Sequence, residues 1–148
     1  LTVDFHTLDT DARLDELLDA LQASDYIVLS SQRLYGSLSR SPQYFPLATR
    51  YYRQLFAGRL GFRLVAAPAV YPQWAGITLL DNPRARLALA TPPLLAASRP
   101  PGLVLDLGRA DESFTVYDHP QPLIFARVER LSREELESLI ALKDTEEH

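Results

Sequence analysis

Apolar positions along the chain change their period several times, and each change marks an element. Leu14, Leu17, Leu18 and Leu21 recur at helical spacing behind an N-cap offered by Asp9 or Thr10, so a first helix is expected here. Thr2 to Phe5 reads as a short strand ahead of it. The continuous run Tyr26 to Ser31, YIVLSS, predicts a strand covered on both faces. After a polar loop from Leu34 to Pro42, Pro46 opens a second helix whose apolar side is Ala48, Tyr51, Tyr52, Leu55 and Phe56. Gly58 and Gly61 close it, and FRLVA from Phe62 is the next strand. Strand, helix and strand of these lengths predict a right-handed parallel crossover.

Seven of the eleven prolines fall between Pro68 and Pro101, which predicts an excursion over the surface with little regular structure. Gly76 to Leu80 adds a strand within it, and Gly102 to Gly108 is expected as an edge strand. Ser113 to Tyr117 and Leu123 to Val128 are β-rich runs flanking a proline-containing corner, the signature of a hairpin. Ser132 and Glu135 form a capping box with Leu131 and Leu136 as its hydrophobic staple, and Leu136, Leu139 and Ile140 face inward on a last helix. The expected architecture is a single α/β domain over residues 1–148. It is a Rossmann-like sandwich with a small mixed sheet, parallel at its centre and finished by the hairpin at Asp118 to Pro122 and the C-terminal helix.

Size and composition agree with one folded unit: 148 residues, 47% hydrophobic and 23% charged. There is no cysteine, which removes disulfides, thiolate metal sites and a cysteine nucleophile. His6, His119 and His148 have no helical partner at i+4 and make no ligand set, so neither metal nor cofactor is expected. No run approaches the roughly 20 apolar residues of a membrane helix, since Leu87 to Ala97 is broken by Pro92 and Pro93. A chain beginning at Leu1 with no methionine reads as a piece of a longer protein.

Charge redistributes the picture. Leu1 to Asp25 has seven acids against Arg13, Tyr26 to Ala110 has ten arginines against Asp81 and Asp106, and Asp111 to His148 has ten acids against four bases. The basic middle is expected to pair with the acidic ends; where it does not, it attracts phosphates or an anionic membrane surface. Nucleic acid is disfavoured, because basic and aromatic residues do not alternate as base-stacking platforms do.

Candidate chemistry is sparse. Asp118 and His119 are neighbours, so in a strand they point to opposite faces and suit a turn with Pro120 better than a catalytic dyad. Asp111 and Glu112 read as exposed charge at a strand entry. Ser30 and Ser31 close a strand at the end where α/β sheets carry ligands, yet SSQRLYGS contains no glycine-rich phosphate loop. Tyr51 and Tyr52, between Arg50 and Arg53, are placed either to pack in the core or to stack on a sugar or sit at a membrane interface with the arginines on phosphates. No residue is singled out as catalytic.

Three stretches carry a resemblance over nearly the whole chain: ASDYIVLSSQRLYGSLSRSPQYFPLATRYYRQLFAGRLGF, RPPGLVLDLGRADESFTVYDHPQPLIF and LSREELESLI. They resemble the soluble C-terminal portion of bacterial multi-pass membrane proteins of glycosyltransferase family 39, the protein mannosyltransferase-like group. Similar endings occur in related membrane proteins named for a triple-tyrosine motif. The resemblance implies a parent of the GT-C class in the plasma membrane, using a polyprenyl-phosphate-linked sugar, with this domain on the extracytoplasmic face. The family's catalytic acid lies in a loop between early membrane helices, so none is carried onto this chain. The implied role is noncatalytic help with acceptor or donor binding, its partners being the transmembrane portion of the same chain and a lipid-linked sugar or anionic membrane. The alternatives are a structural or protein-interaction module and a freestanding Rossmann-like enzyme.

Overall fold

The computed structural model describes residues 11–30, 35–36, 42–68, 73–80, 89–97, 102–106 and 122–141. Helix α1 (Asp11–Ala23) places Leu17, Leu18 and Leu21 in the core, as their spacing requires. Helix α2 (Pro46–Phe56) starts on proline and buries Leu47, Ala48, Tyr51, Tyr52, Leu55 and Phe56. It ends in a Schellman motif: Gly58, at φ 71°, donates its N–H to Leu55 O and Arg59 donates to Gln54 O, both at 3.0 Å.

Strands β1 (Tyr26–Leu29), β2 (Phe62–Ala66) and β6 (Leu123–Arg127) make one sheet in the order β1-β6-β2, with β6 antiparallel to both neighbours. The class is mixed α/β, as expected, but the centre of this sheet is not parallel. Strands β1 and β2 do run the same way around α2; the crossover is split, because the late strand β6 enters between them. Both edges of β6 are thereby occupied by β1 and β2. The expected hairpin strand Ser113 to Tyr117, the corner Asp118, His119 and Pro120, and Thr2 to Phe5 lie outside the described residues.

Register puts Ile27, Phe125 and Leu64 in one row, with Leu29 beside Leu123 and Phe62 beside Arg127. This inner face joins α1, α2 and helix α4 (Arg133–Ile140) in a single core. An aromatic chain crosses it: Tyr51 to Tyr52 (5.0 Å between ring centroids), Tyr52 to Tyr35 (6.2 Å), Tyr35 to Phe56 (5.2 Å) and Phe56 to Phe125 (5.7 Å). Such tilted and edge-on pairs lock side chains as well as bury them.

The proline-rich stretch is more regular than expected. It holds β3 (Gln73–Trp74), β4 (Ile77–Leu80) and the short helix α3 (Pro93–Ala97), whose Leu95 is buried in the main core. Strand β5 (Leu103–Asp106) completes a second sheet, β3-β4-β5, antiparallel at β3-β4 and parallel at β4-β5. Among the described residues β5 lies at an edge, as its sequence predicts. Prolines interrupt individual elements but leave windows of four or five residues, long enough for strands of this length.

Candidate functional site

The residues put forward from sequence do not converge. Ser30 is exposed just beyond β1, and Ser31 lies outside the described residues. Tyr51 and Tyr52 are buried in the aromatic chain, where desolvation pushes both phenols well above their usual range; for Tyr52 the neighbouring Tyr51 and Tyr35 add to the shift. Their rings pack the core. Arg53 is exposed on α2, and Arg50 reaches across the fold, its Nη1 donating to the carbonyl oxygen of Ala141 at 2.5 Å.

That contact belongs to a pattern. Neither α1 nor α4 has a basic residue in its last turn, and each receives an arginine from elsewhere at its C-terminal end. Arg50 caps α4. Arg127, on β6, directs Nη2 to the carbonyl oxygens of Leu21 (2.7 Å), Gln22 (3.1 Å) and Ser24 at the end of α1. Its guanidinium also lies 4.9 Å from the centre of the Phe62 ring, and its Nε stands 3.5 Å from Asp25 Oδ1, an ion pair without a hydrogen bond. A cation at this end satisfies the orphan carbonyls and complements the helix dipole.

The remaining charge pairs are likewise structural. Arg133 at the start of α4 forks between Asp15 (2.5 Å) and Asp19 on α1, and these two carboxylates raise its pKa. Arg130 pairs with Asp25 at 3.7 Å. Asp15, Asp19 and Asp25 are thus met by arginines of the C-terminal segment. Among the described residues Arg53, Arg59 and Arg63 make no ion pair; the middle's other arginines apart from Arg50, namely Arg33, Arg40, Arg84, Arg86, Arg99 and Arg109, lie outside the described residues. Among the described residues, too, no group of His, Asp and Glu side chains is arranged to hold a metal ion, and no helix is long and apolar enough to cross a membrane.

What the sequence reading missed is the other side of the three-stranded sheet. Among the described residues helices cover one face only, and YIVL of β1 is an edge strand with alternating burial and not a strand covered on both sides. On the outer face Tyr26 is 65% exposed, Val28 60% and Val65 49%, and Val128, just past β6, is 56% exposed. Register sets Tyr26 across from Ala126, Ala126 across from Arg63, and Val28 across from Ile124. A bulge between Leu64 and Ala66 inserts Val65 into this surface. No carboxylate occupies these outward positions, and Arg63 is the single charge among them. One signal was available: Arg63 between Phe62 and Leu64 marks β2 as open on one side. In β1 every position is apolar, so alternation is silent there.

Comparison with family models, curated proteins and solved structures finds no match to this chain.

Proposed function

We propose that this chain is a noncatalytic accessory domain of a membrane glycosyltransferase that uses a polyprenyl-phosphate-linked sugar. It stands on the extracytoplasmic side and acts through contact, assisting acceptor or donor binding by the membrane-embedded part of the same protein. The observation that carries this reading is the open outer face of the β1-β6-β2 sheet, with four apolar side chains about half or more exposed. Apolar side chains gathered on one sheet face and free of carboxylates offer a surface for contact. The resemblance of residues 23–62, 99–125 and 131–140 to the family 39 group supplies the class of parent. An antiparallel sheet centre speaks against a freestanding Rossmann-like enzyme, which depends on the crevice at the carboxyl ends of parallel strands.

Replacing the domain in the full-length transferase tests the reading. An unrelated domain of similar size should sharply reduce sugar transfer while the membrane part still inserts, and the isolated chain should transfer no sugar. Full activity of the replacement would reduce the domain to a spacer, and turnover by the isolated chain would overturn the noncatalytic role.

A further inference from the structure

We infer that the outer face of the β1-β6-β2 sheet lies against the headgroup layer of an anionic bilayer, with Tyr26, Val28, Val65 and Val128 entering the interface and Arg63 meeting lipid phosphates. The inference rests on the accessory role beside a membrane proposed above and names the surface that carries it. Three observations select this occupant.

The first is chemical. A tyrosine at the sheet edge presents an apolar ring and a polar tip, the combination favoured at membrane interfaces. Arg63 lies in the row Tyr26, Ala126, Arg63, so its aliphatic stem can follow the apolar surface while the guanidinium reaches phosphate. The second is electrostatic. The chain carries a net charge of −4, yet the outward strand positions hold one cation and no carboxylate, and Arg63 makes no ion pair among the described residues. This face therefore has the sign an anionic leaflet attracts, on a molecule whose total charge has the opposite sign.

The third is size. Three strands of four or five residues, at about 4.8 Å between strands and about 3.3 Å per residue, present roughly 200 Å². A stable protein interface buries about 800 Å² on each partner, so this face alone does not hold a second copy. Pairing two copies through it would also bring two Arg63 side chains to one small patch. Shallow interfacial seating has no such area threshold, because its strength follows buried apolar surface plus attraction to anionic lipid.

The test is co-sedimentation with vesicles of phosphatidylcholine alone or mixed with phosphatidylglycerol, at low salt, with circular dichroism checking each variant's fold. The chain should partition onto the anionic vesicles and much less onto the neutral ones. Arg63→Glu should weaken partitioning at least about fivefold, since one basic residue near an anionic leaflet contributes about that ratio. The pair Val28→Thr and Val65→Thr keeps the β-branched shape and should weaken it by about tenfold. Arg53→Glu makes the same charge change on the helix side and should alter it less than about twofold.

No partitioning onto anionic vesicles overturns the inference, as does an equal loss from Arg53→Glu and Arg63→Glu, which would show that only net charge matters. A concentration-dependent dimer abolished by the threonine pair would assign the face to a second copy instead. None of these failures touches the domain-replacement result, so accessory function and bilayer seating stand or fall separately.

Discussion

Gly61 and Glu129 approach so closely that a side chain at position 61 has no room. A Cβ on Gly61 would stand 3.2 Å from the carbonyl carbon of Glu129, closer still to its oxygen, and 3.5 Å from Leu131 Cγ. Gly61 is also at φ 76°, and its own carbonyl accepts from the N–H groups of Val128 (2.8 Å) and Glu129 (3.1 Å). The chain leaving β6 is thus clamped onto the turn that enters β2. Gly61→Ala combines backbone strain with a clash against main chain and should destabilise by about 3 kcal/mol. Gly58→Ala, at φ 71° but with its nearest contact at 3.8 Å, should lose only about 1 kcal/mol. Urea midpoints at unchanged slope check the difference.

Ala75 and Gly76 turn β3 into β4 with φ values of 49° and 79°. Positive φ at both central residues is the two-residue hairpin turn that favours Asn-Gly, so alanine is strained at the first. Ala75→Asn should stabilise by about 0.5–1 kcal/mol, read as a rise in melting temperature.

Ser132 and Glu135 close the capping box of α4: Glu135 Oε2 accepts from the Ser132 N–H at 2.8 Å, and Ser132 Oγ accepts from the Glu135 N–H at 3.2 Å. Ser132→Ala should cost about 1 kcal/mol. The backbone hydrogen bond from Ser132 holds the Glu135 pKa below its ordinary value, and the Ser132 side chain adds to this. A depressed carboxylate contributes stability above its unfolded pKa, about 4.3, and loses it as pH falls through the folded value. Glu135→Gln should therefore lower stability near neutrality, converge with the unsubstituted chain at the acid end, and so flatten the decline as pH falls below about 4.3.

Burial raises the Tyr51 and Tyr52 phenols, and the sign of the linkage is the reverse. Their contribution is complete below the unfolded value of about 10 and disappears as pH climbs beyond it, because ionisation favours the unfolded chain. Tyrosinate absorbance for these two residues should appear together with loss of circular dichroism in one alkaline transition. Ionisation well before unfolding would place a phenol in contact with solvent.

Arg127 ties α1 to the sheet through a nearly buried guanidinium. Arg127→Met removes a charged donor from several helix-end carbonyls and should destabilise by about 2–3 kcal/mol in denaturant titrations. Arg127→Lys should recover part of this, since an ammonium keeps the charge but cannot span the same oxygens.

Elements whose signal is local were legible in the sequence. The leucines of α1, the proline start and Gly58 end of α2, and the capping box of α4 each depend on residues within one or two turns. Sheet order was not, because nothing in YIVL or LIFAR states which strand lies beside which, and the adjacency of β1 and β2 in sequence favoured direct pairing. The roles of Arg50 and Arg127 were hidden for the same reason: each acts on a helix far away in the chain. Burial of Tyr51 and Tyr52 was readable from helical spacing, whereas the open face of β1 was not, since a strand apolar at every position does not declare its uncovered side.

The position of β6 has a consequence for how the domain comes into being. Tyr26 and Ala126 face each other a hundred positions apart, and no ladder joins β1 to β2 without the strand between them. The three-stranded ladder can close only once Leu123 to Arg127 is available to enter it. Closure is then an event of high contact order and correspondingly slow. A polypeptide truncated before residue 123 keeps most of the core-forming side chains and still lacks the keystone around which they assemble.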